Sequence, residues 1–189
     1  MVTDLQHLLD LPLDTPAPAR RLAEQLGNIV QAATAGDAGV QWETALPCPR
    51  RPGNKRCRGR MVVLRTEPGA PIHWLCSYCH DQGQISSWEA TPFDLRQQGL
   101  TVAESVDEIV IAYETAATLR DLKLLDPDCQ RMVFRIRANN DTAALAVSND
   151  DLDALIGATA AEANHEDNRR RQQRLDAAVD VLTNAAQDL

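Results

Sequence analysis

Four cysteines close together in the middle of the chain restrict its fold more than any other sequence feature. They are Cys48, Cys57, Cys76 and Cys79, a C-x8-C pair and a C-x2-C pair with 18 residues between the pairs. Glycine follows both pairs and allows tight turns, and β-like runs come next, so the sulfurs of the two turns can converge. Structural zinc takes four thiolates in a tetrahedron at about 2.3 Å. The spacing therefore predicts one zinc ion (Zn²⁺) bound by all four cysteines.

Other interpretations of these residues stay open. Iron with four thiolates uses the same ligands and geometry. Four buried thiols without a metal are the simpler alternative. His80 is a candidate substitute ligand. Because four sulfurs already complete the coordination of the metal, we expect its side chain to be exposed or to contact a metal ligand without binding the metal itself. Cys129 stands 50 residues beyond Cys79 on an apolar helical face, and we expect it in the core.

Composition limits the class of protein. The chain has 189 residues, of which 44% are hydrophobic and 24% charged, as in soluble proteins of one or two small domains. No apolar run is long enough for a bilayer, and no basic stretch followed by an apolar core opens the sequence. Five cysteines without such a leader argue against a disulfide framework. We therefore expect a cytoplasmic protein without membrane contact.

Hydrophobic periodicity places the elements of the first half. Residues 3–11 predict a short helix capped by Thr3, and a longer helix is predicted from about Ala17 to Gly36. The solvent-exposed side of the longer helix is expected to carry Arg20, Arg21 and Glu24. The predicted strands are residues 60–65, 72–75 and 84–88. We expect the aromatic side chains of this region to pack around the cysteine turns; they are Trp42, Trp74, Trp88 and Phe93.

Helical and strand patterns alternate beyond residue 100. Strands are predicted at 106–111 and 142–148, side by side, and helices at 113–124, after Asp126-Pro127, after Ser148 or Asn149, and over 175–186. The segment after Pro127 has two interpretations. Its apolar residues lie on one helical face, which we favour; alternatively MVFRIR (132–137) is a strand that pairs with 142–148 across an Asn-Asn-Asp turn.

These patterns predict an α+β fold in three parts. Residues 1–39 form an N-terminal helical segment and residues 40–98 a four-cysteine zinc ribbon. Residues 99–189 form a mostly helical domain with a short strand pair. A ribbon this small has little hydrophobic core, so the metal is expected to stabilise the fold.

A basic segment coincides with the first cysteine pair. Between Pro47 and Arg65 there are seven positive side chains and no acidic one, so the rest of the chain carries -8 - 7 = -15. Six of the seven are candidate nucleic-acid contacts: Arg50, Arg51, Lys55, Arg56, Arg58 and Arg60. Such a patch attracts DNA or RNA phosphates, although the net charge of -8 argues against a wholly basic coat. An acidic protein partner, the chain's own acidic helices and plain solvated charge are the alternatives.

Signals for catalysis are missing from the sequence. It has no Gly-rich phosphate loop, no nucleophile elbow and no plausible Ser-His-Asp order. A zinc ion with four thiolates has no open position for water. Glu162-x-x-His165 has the spacing of half a di-iron site, but no second copy exists. We therefore expect no enzyme activity.

One stretch resembles a known type of domain. WLCSYCHDQGQISSWEATPFDL (74–95) is similar to the second half of zinc ribbons in small uncharacterised bacterial proteins, with the pattern W-x-C-x-x-C-G-D-x-G-x-I-x-x-W. His80 stands where that pattern has glycine, which puts a Cβ into a tight turn. The tail AAEANHEDNRRRQQRLDAAVDVL resembles a C-terminal helix of the same proteins. The resemblance implies a bacterial zinc-binding protein and no enzyme class.

The sequence as a whole thus favours a non-enzymatic zinc-binding adaptor or regulator that acts through protein–protein contacts. A nucleic-acid-binding regulator using the basic segment is the alternative.

Overall fold

The chain folds into two compact units, Met1–Gln97 and Gln98–Leu189. The computed structural model describes residues 2–9, 11–12, 14–97 and 107–187. Both units mix helices and strands, so the expectation of a mixed α and β structure is confirmed. The first unit contains residues 1–39 together with the cysteine segment, whereas the sequence interpretation divides them.

A five-stranded sheet organises the first unit. Its strands are β1 (Val2–Asp4), β2 (Trp42–Pro47), β3 (Arg60–Leu64), β4 (Ile72–Cys76) and β5 (Gln82–Ser86). Neighbours run in the order β1-β5-β4-β3-β2. Strands β2 to β5 pair antiparallel in sequence order, whereas β1 is parallel to β5. Since alternate turns of an antiparallel meander lie at the same edge, the β2–β3 and β4–β5 connections meet at one end of the sheet.

The first residues form a strand where a helix was predicted. Val2 pairs with Gln84, and the short helix α1 (Gln6–Leu9) follows only after Leu5. Asp4, not Thr3, accepts a hydrogen bond from the backbone N–H of the first helical residue, over 3.0 Å. The open edge of β5 offers backbone partners to residues 2–4, and this pairing overrides a short amphipathic pattern.

Helix α2 (Ala17–Ala35) covers one face of the sheet, as its periodicity predicts. Its buried side includes Leu26, Ile29 and Val30, and its exposed side includes Arg20 and Glu24. The helix starts with Pro16 as N-cap and a proline in its first turn, where a missing N–H has no consequence.

The buried Arg65 holds the C-terminal end of α2. Its guanidinium donates hydrogen bonds to the carbonyl oxygens of Ala33 and Gly36, and only 5% of the residue is exposed. A cation at the negative end of the helix dipole is favourable. Arg65 therefore stabilises the fold and does not contribute to the accessible basic surface.

The second unit has three strands in the order β7-β8-β6 and four helices among its described residues. The strands are β6 (Asp107–Ile111), β7 (Arg137–Asn139) and β8 (Thr142–Val147); the helices are α3 (Tyr113–Arg120), α4 (Pro127–Phe134), α5 (Asn149–Asn164) and α6 (Arg169–Gln187). The predicted pairing of the two longer strands is confirmed, since β6 and β8 are antiparallel with Ile109 opposite Leu145.

Both interpretations of the segment after Pro127 are partly correct. Asp126 caps α4 by accepting the backbone N–H groups of Asp128 and Cys129, each over 2.9 Å. The helix ends at Phe134, and residues 137–139 then pair with β8. Cys129 is buried, as expected. The eight residues of α4 bury the apolar stripe. The three residues of β7, Arg137–Asn139, then pair with the edge of β8.

Helices α5 and α6 pack against each other after a four-residue connection at 165–168. Ser148 and Asp151 form a reciprocal capping box at the start of α5. Arg171, in the first turn of α6, pairs with Glu162 and Glu166. No helix in the described part of the chain is long and apolar enough to cross a membrane.

Candidate metal centre

The structure brings the four predicted cysteine sulfurs together. Cys48 directly follows β2, Cys57 precedes β3, Cys76 ends β4 and Cys79 lies in the turn before β5. All four Sγ atoms lie within 4.8 Å of one another. The cluster occupies the end of the sheet where the two connections meet. Among the described residues, these four cysteines are the group whose ligand atoms lie close enough together to hold a metal ion.

The spacing of the sulfurs fits a tetrahedral ion. The Sγ atoms of Cys48 and Cys79 are 3.7 Å apart, as are those of Cys57 and Cys76. A tetrahedron with metal–sulfur bonds of about 2.3 Å has edges of about 3.8 Å. A disulfide needs about 2.05 Å, so these contacts are not covalent. The donor set therefore matches a closed four-thiolate site.

Both turns present backbone N–H groups to the sulfurs in the same way. The amides of Arg50, Gly59 and Tyr78 each point at the Sγ atom of the cysteine two residues earlier, over 3.4 to 3.5 Å. The Cys79 amide adds a second contact to the Sγ atom of Cys76, over 3.4 Å. Donors aimed at sulfur favour the thiolate, which is the form that binds metal.

The electrostatics of the cluster are compatible with a bound cation. Burial raises the pKa of the Cys48 and Cys76 thiols above the ordinary value, while the hydrogen bond from the Gly59 amide lowers the pKa of Cys57. Four adjacent thiolates without a counter-charge repel one another in a buried site. A divalent cation removes this repulsion and makes the fully deprotonated cluster stable.

His80 lies outside the set of four ligands. Its residue is exposed, and its backbone adopts a left-handed φ of 56° in the turn after Cys79. The expectation that Gly83 supplies the special backbone of this turn is wrong, because Gly83 lies in β5 opposite Trp74. The left-handed conformation lies instead at His80, the position where the resembling zinc ribbons have glycine.

Gly59 is a site residue whose importance the sequence interpretation missed. A Cβ atom added there would lie 2.4 Å from the Sγ atom of Cys76 and 2.7 Å from the Cβ atom of Tyr78. Its carbonyl oxygen also accepts the Cys48 N–H over 2.9 Å. Glycine two residues after Cys57 was noted only as a turn former, whereas the structure requires it for space.

Most of the basic segment projects into water. Arg51, Lys55, Arg56 and Arg58 are exposed in the loop between Cys48 and Cys57 and beside its end. Arg50 is also exposed, but its guanidinium makes a two-pronged ion pair with Asp81, at 2.7 and 2.9 Å. Arg60 lies half-buried in β3. The accessible basic surface is therefore the loop of residues 49–58, which we call the basic loop.

Two of the four aromatic side chains, Trp88 and Phe93, have contacts away from the cysteine turns. Trp88 donates its Nε1–H to the carbonyl of Ala70 over 3.1 Å, and the Arg96 guanidinium lies 4.2 Å from its ring centre. Phe93 packs against Gly27 of α2. Phe93 thus connects the segment after β5 to α2.

The half-motif Glu162-x-x-His165 has a structural role. Glu162 pairs with Arg171 and accepts the Lys123 backbone N–H over 2.8 Å, while His165 is exposed at the end of α5. The carboxylate is thus used to tie the helices of the second unit together.

The four-cysteine cluster is compatible with metal binding, and the comparisons add no family to it. Searches of protein-family models, curated proteins and solved structures yield no match for this chain.

Proposed function

We propose that Cys48, Cys57, Cys76 and Cys79 bind one zinc ion in a zinc ribbon, and that the protein acts as a non-enzymatic adaptor or regulator through protein contacts. The observation that carries this proposal is the set of four sulfur atoms within 4.8 Å of one another. Four thiolates complete the tetrahedron of zinc and leave no position for a substrate or a water molecule. The ion then acts on stability and shape.

The role of the metal follows from where the four ligands come from. Two connections of the sheet meet at the cluster, so one ion joins residues that are up to 31 positions apart in sequence. Apart from the ion, the basic loop is held by a 3-10 turn at Pro52–Asn54, by the Arg50–Asp81 ion pair and by the hydrogen bond from the Cys57 N–H to the Arg50 carbonyl oxygen. Metal binding is thereby coupled to the conformation of the exposed surface.

Metal analysis of the purified chain tests the site. One zinc per chain is expected, with substitution by Co²⁺ giving the visible absorption of a tetrahedral thiolate complex. A chain with Cys57→Ser should lose most of the bound metal, whereas Cys129→Ser, at a buried cysteine in the other unit, should retain it. Coloured iron-containing protein would instead support a four-thiolate iron site. A metal-free, fully folded chain would contradict both.

The basic loop is the surface that we assign to a partner. It carries Arg51, Lys55, Arg56 and Arg58 in exposed positions without an acidic neighbour in its own sequence. The proposed partner is an acidic protein surface, since complementary charge guides association and fixes orientation. Affinity capture from the native host with the wild-type chain should enrich one acidic protein, and capture should fail with the four side chains changed to Gln.

Nucleic acid is the second candidate, favoured by the same exposed cations. Each phosphate contact contributes a slope of about -0.9 to the dependence of log affinity on log salt for duplex DNA. Four contacts therefore predict a slope of about -3.6 that falls towards zero in the four-fold Gln variant. Absence of binding to duplex and single-stranded probes at low salt would remove this candidate and leave the protein partner.

A further inference from the structure

A groove lies in the first unit between α2 and the sheet, next to the first cysteine turn. Its volume is about 670 Å³, within the range of ligand pockets in proteins. Leu22, Leu26, Ile29 and Met61 make much of its wall apolar. Leu22 is 43% exposed although it points from a helix whose neighbouring apolar residues are buried. The groove is thus an apolar depression with an accessible mouth.

Trp74 places a buried hydrogen-bond donor in this groove. The residue is 7% exposed and alternates along β4 with His73 and Leu75, so its indole lies on the α2 side of the sheet with Met61. Within the described part of the chain, its Nε1–H is buried and has no acceptor. The indole of Trp88 in the same unit has its acceptor. A buried donor without a partner is rare and unfavourable in native proteins.

Gln25 supplies a second donor of the same kind. Its Nε2 atom is buried and has no hydrogen-bond partner in the described residues, and its residue lines the same groove from α2. Two buried N–H groups without an acceptor therefore belong to residues on the two walls of the groove. Both donors lack a hydrogen-bond acceptor from the described part of the protein.

The mouth of the groove is positively charged. Arg21 comes from α2, and Arg50 and Arg51 come from the basic loop. Asp81 is the acidic residue among the lining residues, and the ion pair with Arg50 neutralises it. Arg21 and Arg51 then leave a net positive charge beside the apolar wall.

We infer that this groove binds a small organic anion with an apolar body. Acceptor oxygens of the ligand take the Nε1–H of Trp74 and the Nε2–H of Gln25, and its charge lies near Arg21 and Arg51. The apolar walls bury the remainder of the ligand. This ligand site goes beyond the proposed adaptor role and depends on neither the partner nor the identity of the metal.

A fluorescence titration of the metal-loaded full chain with 8-anilinonaphthalene-1-sulfonate tests the inference, because this probe combines an aromatic body with a sulfonate. We expect one saturable site per chain, from which decanoate displaces the probe. Trp74→Phe keeps the ring and removes the donor, and should weaken binding about tenfold, as expected for one hydrogen bond to a charged acceptor. The double variant Arg21→Gln/Arg51→Gln should weaken it about tenfold as well and reduce its salt dependence.

Matched controls separate the groove from general charge and folding. Arg20→Gln on α2 and Arg58→Gln at the end of the basic loop remove exposed arginines that do not line the groove, and both should keep wild-type affinity. Circular dichroism and metal content verify that each variant is folded; if Trp74→Phe is unfolded, the arginine double variant decides alone. Lack of saturable binding by the wild-type chain means that the donors bind water only, and it overturns the inference. Wild-type affinity in the arginine double variant overturns it too.

Discussion

Gly59→Ala gives the sharpest test of the cysteine cluster, because the structure fixes the size of the perturbation. The new Cβ atom would lie 2.4 Å from the Cys76 Sγ atom and 2.8 Å from the Tyr78 amide nitrogen. An unstrained carbon–sulfur contact is about 3.5 to 4.0 Å, so the sulfur must move by about 1 Å or more. Metal–ligand distances tolerate only about 0.2 Å.

The expected loss follows from the displaced ligand. Structural zinc binding by four ligands is worth about 10 to 16 kcal/mol, so one ligand lost corresponds to about 3 kcal/mol, or about a hundredfold in affinity. Competition with a chromophoric chelator measures the affinity, and the Co²⁺ spectrum reports whether the site remains tetrahedral. The free energy of unfolding of the metal-loaded chain should fall by a similar amount.

Gly53→Ala is the matched control in the same loop. Gly53 has a left-handed φ of 60°, but a Cβ atom there meets nothing within 4 Å. It should cost about 1 to 2 kcal/mol of local strain and leave the metal affinity nearly unchanged. Equal metal affinity in the Gly59→Ala and wild-type chains would refute the packing argument, and with it the placement of the Cys76 sulfur.

Three further substitutions test the rest of the structure. Arg65→Met removes the guanidinium that holds the last carbonyls of α2 and lies 5.8 Å from the Trp88 ring centre, and we expect urea unfolding to show a loss of about 2 to 3 kcal/mol; an unchanged midpoint would contradict this role. Cys129→Ala should leave the metal stoichiometry unchanged and lower stability by about 1 kcal/mol. In the wild type, burial raises the pKa of Cys129 to about 12, so alkylation at pH 8 should spare it until the chain unfolds. Burial alone would raise the pKa of Glu162, but Arg171 lowers it below the ordinary value of 4.5. The stability from this pair is therefore complete above about pH 5 and is lost as the pH falls through the lowered pKa. Glu162→Gln should cost about 1 to 2 kcal/mol at pH 7 and flatten the acid side of the stability profile, whereas a profile identical to wild type would contradict the pairing.

Local signals predicted many of the elements. The stripe of Leu26, Ile29 and Val30 predicted α2, and the strand-like runs at 106–111 and 142–148 predicted β6 and β8. Ser148, one of the two residues predicted as the cap of α5, is the observed cap. Each of these signals spans one or two turns or a few strand residues, so neighbouring side chains suffice to define it. The prediction was poorest at residues 2–9, where backbone pairing with distant β5 decided the conformation.

The cysteine cluster was predictable because cysteines are rare and their spacing matches a known coordination chemistry. The need for Gly59 was not predictable, because the atom that a side chain would strike belongs to Cys76 across the sheet. The different roles of Arg65 and Arg50 were not predictable either. Both side chains carry the same charge in the sequence, yet Arg65 is buried against α2 and Arg50 pairs with Asp81 at the surface. Charge patterning cannot separate them, because burial is a property of the whole fold.

The sequence by itself determined which side chains can bind a metal and which segments are helical or extended, since both depend on residue type and short spacing. The tertiary structure decided which arginines remain accessible, why Gly59 tolerates no side chain, and where Trp74 and Gln25 share a groove. These features join residues from separate elements, and the pairing of the strands together with the packing of α2 on the sheet sets the distances between them.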